Sequence, residues 1–145
     1  MAGKNIWLTL SQSSRYKAWA GFAFEGIVIK HAELIKKALN IEGIYSAQST
    51  FSSVGTKNKE GFQIDLLISR NDNTINICEM KFYNDELSLS KQSIDNLRKR
   101  RELFRRVSRT KKLLHNTIIT TYGFNHNKHS IGIIDQIITM EKLFL

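Results

Sequence analysis

Proline is absent from the 145 residues, and cysteine occurs once, at Cys78. Without proline there is no proline-rich linker, and the chain shows no low-complexity segment. A single cysteine excludes a disulfide framework, so a reducing cytoplasm is the expected compartment. No apolar run approaches the roughly 18 residues a membrane helix needs, so no membrane-spanning segment is expected. The opening MAGKNIWLTLSQSS has no long apolar stretch, which argues against a secretory signal. Acidic residues are in short supply, with 13 against 22 basic ones, giving a net charge of +9. That excess points to an anionic partner, with nucleic acid first and a membrane surface second. Apolar residues make up 41% and charged residues 24%, which excludes wholesale disorder. The length suits one domain, 1–145, read as an N-terminal extension over 1–20 and a core over 21–145.

Phe24, Ile27, Val28, His31, Leu34, Ile35, Ala38 and Leu39 recur at helical spacing, predicting one amphipathic helix over Phe22–Asn40. His31 falls inside that stripe and reads as a packed core residue, and Gly43 as the C-cap region. Strands follow at Ile44–Ser52, Gly61–Ser69 and Thr74–Phe82. The last two are joined by the turn-forming Arg70-Asn71-Asp72-Asn73 and form a hairpin. Both are apolar with little alternation, which predicts burial on both faces. Ser88 and Ser90 are N-cap candidates for a helix running to about Ser108. Strands at Asn116–Tyr122 and Ile131–Ile138 come next, and Met140–Leu145 reads as a last helical turn. The order is α-β-β-β-α-β-β, an α/β domain with a mixed central sheet flanked by helices. Trp7 and Trp19 are expected to cap the core.

Three polar residues interrupt the apolar strands. Asp65 lies within GFQIDLLIS, and Glu79 and Lys81 lie within INICEMKF. Residues two apart on a strand share a face, so Glu79 and Lys81 project together. The hairpin can bring Asp65 alongside. Two carboxylates and an ammonium group in one cleft are costly unless they pair or bind a metal. Oxygen-only ligands favour a hard ion such as Mg2+, with a neighbouring lysine to handle a water. A same-face ion pair between Glu79 and Lys81 is the structural alternative. Cys78 points away from Glu79 and is expected to be buried and inert. His126 and His129 lie in a polar loop without a cysteine partner, so zinc is not expected there.

Asp65, thirteen intervening residues, then Glu79-Met80-Lys81 resemble the motif of the PD-(D/E)XK nuclease superfamily, which is restriction-endonuclease-like with an αβββαβ core. RYKAWAGFAFEGIVIKHAELIKKALNI, GFQIDLLISRNDNTINICEMKFYND and TIITTYG resemble the nuclease-like C-terminal domain of bacterial and archaeal AAA-type ATPases. The G-x-x-x-x-G-K-[ST] motif of the ATPase part is absent from this sequence. The resemblance implies Asp65, Glu79, the backbone carbonyl of Met80 and Glu25 as ligands of Mg2+, with Mn2+ as a substitute. It implies Glu25, Asp65, Glu79 and Lys81 as the catalytic set, with Lys81 positioning the nucleophilic water. Gln63 would add a polar contact, and Lys91 and Gln92 on the following helix are supporting candidates. The Gln-x-x-x-Tyr pattern of some members is not met, because Asn96 stands at its last place. The implied activity is metal-dependent hydrolysis of DNA phosphodiesters, and an AAA-type ATPase domain and a homodimer are the implied partners.

Lys91 to Lys112 holds ten basic and two acidic residues, nearly the whole net charge. At about 100° per residue, Lys91, Arg98, Arg101, Arg105, Arg109 and Lys112 form one stripe, suited to tracking a phosphate backbone. A solvated helix face is the plainer reading of such a run. The second functional expectation is therefore a catalytically silent module that binds DNA or a protein through this helix.

Overall fold

The computed structural model describes residues 14–55, 61–83 and 85–140, with side chains from Ala20 onward. The expectations for Trp7, for the Trp19 side chain and for 141–145 lie outside these. The elements are α1 (Ser14–Lys30), α2 (Ala32–Ala38), β1 (Ser46–Ser53), β2 (Phe62–Arg70), β3 (Thr74–Lys81), α3 (Lys91–Ser108), β4 (Leu113–Thr120) and β5 (Gln136–Thr139). The sheet runs β1-β2-β3-β4-β5. Its first two pairings are antiparallel and its last two parallel. This is an α/β fold with a mixed five-stranded sheet. β3 and β4 are parallel, so their connection needs a crossover, and α3 provides it. Because α1 begins at Ser14, helix runs straight through the boundary expected at residue 21.

The expected single helix over 22–40 is two helices. The chain breaks at His31 (φ −108°, ψ 38°), which is exposed rather than packed. Its neighbours on the stripe, Val28, Ala32 and Ile35, remain buried. A one-residue break thus preserves the apolar face while turning the imidazole out. The stop signal is Asn40, not Gly43. Asn40 takes φ 59°, its N–H reaches Lys37 O at 3.0 Å, and the Ile41 N–H reaches Lys36 O at 2.9 Å. Those two bonds with a buried Ile41 make a Schellman cap.

The hairpin forms as expected. Arg70 pairs with Thr74, and Asn73 turns the chain at φ 62°. Arg70 grips Asp72 at 2.9 and 2.5 Å, and this hydrogen bonding holds the exposed Asp72 carboxyl below the usual range. Helices cover both sheet faces. Phe24, Val28 and Ile35 pack with Leu66, Ile68, Cys78 and Ile119 on one side. Phe104 packs with Ile64, Leu67, Ile77 and Leu114 on the other, and Leu97 with Ile118 beside it. Burial pushes the Cys78 thiol up to about 12, so it is inert. Among the described residues, no helix is long and apolar enough to cross a membrane.

The side-chain alternation of β2 slips once. Ser49 pairs with Leu67 but Phe51 pairs with Ile64, so two steps on β1 match three on β2. Asp65 and Leu66 together face Thr50, which is a β-bulge. Such bulges re-aim a side chain. Here the bulge sets Asp65 at the α1 side, whereas strict alternation leaves it with Leu67 under α3.

Candidate functional site

β2 and β3 pair from Arg70↔Thr74 to Leu66↔Cys78. The ladder stops there, one step before Asp65 and Glu79. β3 stays paired with β4 as far as Lys81↔Thr120. Asp65 and Glu79 therefore sit where two strands part, at the carboxyl ends of the parallel strands. Open α/β sheets bind their ligands in that position.

One group of side chains gathers around Asp65. Gln63 Nε2 donates to Asp65 Oδ1 at 2.8 Å. Glu25 approaches Asp65 from α1, close enough for the two carboxyls to share a hydrogen bond when one of them carries a proton. Phe24, one residue earlier, packs its ring 6.0 Å from Phe82 and fixes α1 against the end of β3. Glu25 is half-buried. Burial raises its carboxyl above the ordinary value, with the hydrogen bond to Asp65 and the charges of Asp65 and Glu79 adding to it. Glu25, Asp65 and Glu79 thus feel one another, although they come from α1, β2 and β3.

A second group gathers around Glu79. Lys81 Nζ lies 3.2 Å from Oε1, and Arg100 Nη1 donates to Oε2 at 2.5 Å. Arg100 is only 16% exposed. Its Nε and Nη2 are buried without a partner among the described residues. A cleft of about 210 Å³ opens here, lined by Glu79, Lys81, Leu89, Ser93, Asn96, Leu97 and Arg100. The sequence reading places Lys91 and Gln92 at the site. The structure puts them on the exposed first turn of α3, off the cleft lining. Ser93, Asn96 and Arg100 line it instead. A signal for Arg100 exists: on the helical wheel it falls within about 40° of Phe104, on the flank of the buried face.

For a cation, the donor chemistry of Glu25 and Asp65 fits: oxygens only, two carboxylates pressed together, one of them raised. Both Glu79 oxygens are engaged by Lys81 and Arg100 instead. Among the described residues, no group of three His, Cys, Asp or Glu side chains is arranged to hold a metal ion. The Met80 side chain packs on the α1 side of the sheet, leaving its backbone between Glu79 and Lys81. His126 bonds through Nδ1 to Ser130 Oγ at 3.2 Å and stacks edge-on against Phe124. It is a loop-ordering residue.

The basic stripe is shorter than the wheel implies, because α3 ends at Ser108. Arg109 follows in the left-handed region at φ 57°. Lys112 turns inward, donating to Ser69 Oγ at 3.1 Å and Arg70 O at 2.7 Å. Arg105 holds Thr110 O at 3.1 Å, and Arg101 is largely covered. Lys91, Arg98 and Arg109 remain exposed, and Arg98 shares its charge with Asp95 at 3.2 Å.

No family model matches the chain, and no curated protein matches it either. Among solved structures, a protein of unknown function, AF1548, is similar, with a TM-score of 0.50 and 18% identity. The match covers 77% of this chain and 61% of that one, so this chain spans less than two thirds of its length. The likeness is one of fold.

Proposed function

We propose that this chain is a metal-dependent nuclease-like domain that hydrolyses DNA phosphodiesters. The observation that carries the reading is the convergence of Glu25 and Asp65 on one hydrogen bond within the field of Glu79. Like charges gathered where two strands part, at a bulge, are expensive for a purely structural device. A perturbed carboxyl such as that of Glu25 in such a place is a candidate for chemistry.

Glu25 and Asp65 would hold a Mg2+ ion, with Mn2+ as a substitute, which when bound supplies charge neutralisation at phosphate and a more acidic water. The remaining work falls to side chains of this chain. Lys81 Nζ, beside Glu79, holds the attacking water against the phosphorus. Attack breaks the bond to O3′, leaving a 5′-phosphate and a 3′-hydroxyl. Gln63 keeps Asp65 oriented, and Arg100 keeps Glu79 oriented. The exposed cations of α3 draw the phosphate backbone toward the cleft. The test is cleavage of DNA in Mg2+ or Mn2+ by the wild type, Asp65→Ala and Lys81→Ala. Equal cleavage by all three overturns the reading.

A second reading is favoured by one contact set. Lys81 and Arg100 together neutralise Glu79. In a catalytically silent module that binds DNA or a protein partner, such as an attached AAA-type ATPase domain, this ion-pair group would serve structure alone. Salt-sensitive DNA binding with no divalent-ion uptake and no cleavage distinguishes it.

A further inference from the structure

Four aromatic side chains among the described residues are at least half exposed: Phe22, Tyr45, Tyr83 and Tyr122. Three of the four lie within three residues in sequence of a site residue or of its strand partner. Phe22 is 83% exposed and stands three residues before Glu25, hence on the same side of α1. Tyr83 is 50% exposed and stands two residues beyond Lys81. Tyr122 is 57% exposed and stands two residues beyond Thr120, the β4 partner of Lys81.

The two tyrosines are held at one place. The backbone N–H of Tyr83 donates to Thr121 Oγ1 at 3.1 Å, and the same hydroxyl donates back to the Tyr83 carbonyl. Thr121 is buried, so this clasp fixes the strand exits side by side and leaves both phenols outside. Phe24 on Phe82 fixes α1 against the same exits, while Phe22, about 200° further round the helix, faces outward. The tyrosine rings are thus carried just beyond the carboxyl ends of β3 and β4, with Phe22 on the neighbouring helix. Folding does not need them there, since Phe24 and Phe82 already close the core.

We infer that Phe22, Tyr83 and Tyr122 are a stacking platform for the bases of unpaired nucleotides, so that the preferred ligand is single-stranded nucleic acid. The inference rests on the nuclease reading for its site and deepens it by naming the substrate class. The chemistry supports it in two ways. Every base has a π-face, and aromatic stacking on single strands is sequence-tolerant. Bases in a duplex are already stacked on each other and cannot lie on a side chain. The surplus of positive charge supplies the backbone attraction, but charge alone favours the duplex, which carries more phosphates per unit length. A preference for the single strand therefore has to come from the rings.

The experiment uses the full chain in EDTA, so that binding is read without cleavage. Fluorescence anisotropy compares a labelled thymidine oligomer of about 15 nucleotides, the duplex of that length, and an abasic oligomer with the same phosphates. The single strand should bind about 5-fold or more tighter than the other two. Tyr83→Ala and Tyr122→Ala should each weaken single-strand binding about 5-fold or more while changing duplex binding little. Tyr83→Phe keeps the ring and should restore binding, which also controls for folding. Duplex or abasic binding as tight as the single strand, or alanine variants that bind like the wild type, overturns the inference. The two claims fail separately. Single-strand preference without cleavage in Mg2+ sinks the nuclease reading and leaves the platform. Cleavage without ring dependence does the reverse.

Discussion

Arg100 Nη1 lies 2.5 Å from Glu79 Oε2, across 21 residues of sequence, while Lys81 Nζ holds the other oxygen at 3.2 Å. The helix after the hairpin thus supplies a counter-charge to the strand that bears Glu79. Replacing Arg100 by Ala removes the closer partner and leaves a mostly buried carboxylate with Lys81 alone. The expected loss is about 1–3 kcal/mol of stability. Arg100→Met keeps the apolar stem and removes two unmet buried donors, so it should lose less. Urea denaturation checks the order. Arg100→Ala unfolding at the wild-type midpoint contradicts it.

Glu25 makes stability depend on pH in a defined direction. Its folded carboxyl is raised above 4.5, chiefly by burial and then by Asp65. The folded state therefore binds this proton more tightly than the unfolded chain. The contribution is fully present below the ordinary carboxyl range and is lost as pH rises through the raised value. Glu25→Gln cannot titrate. In metal-free buffer, wild type minus Glu25→Gln should show a relative loss of wild-type stability as pH climbs from about 4 toward neutrality. Curves that stay parallel over this window would show that Glu25 is not perturbed.

Divalent ions should act on the same pair. A ligand that binds only the folded state stabilises it by mass action, about 2.7 kcal/mol at a hundredfold excess over Kd. Millimolar Mg2+ should raise the thermal midpoint of the wild type. Asp65→Asn and Glu25→Gln should lose that rise while remaining folded. A rise of equal size in all three proteins locates the ion elsewhere.

Helix α3 offers a test of its own two ends. Ser90 Oγ accepts the Ser93 N–H at 3.2 Å, and Ser90→Ala should cost about 1 kcal/mol. Arg109 is held at φ 57°, a region that costs a residue with a Cβ roughly 1–2 kcal/mol. Arg109→Gly should therefore gain about 0.5–1 kcal/mol, less than the relief because glycine loses more chain entropy. It should also reduce the salt dependence of DNA binding if Arg109 meets a phosphate. A destabilised Arg109→Gly refutes the strain argument.

The succession of strands along the chain, the hairpin and the polar residues of β2 and β3 are legible in the sequence, because each rests on local pattern, although the last strand is Gln136–Thr139 and not the whole of 131–138. Asn71 to Asn73 is turn chemistry, and an Asp or Glu inside an apolar strand stands out. The rest depends on non-local geometry. The break at His31 conserves the apolar stripe, so periodicity passes straight through it. The bulge at Asp65 and Leu66 appears only when β1 is set beside β2. Arg100 is lost in a basic run whose other members mostly face away, and only its partner on β3 singles it out. The wheel fails past Ser108 because Arg109 leaves the helix and Lys112 is drawn to the Arg70 carbonyl.

Cleavage is the most direct measure of the central claim. Purified wild type, Asp65→Ala and Lys81→Ala should be incubated with end-labelled DNA in Mg2+, in Mn2+ and in EDTA. The account predicts metal-dependent products bearing a 5′-phosphate from the wild type, and at least about a hundredfold less from either variant, as expected when a metal ligand or proton-handling group is removed. Products formed equally by all three proteins, or no product from a folded wild type with either metal, contradict it.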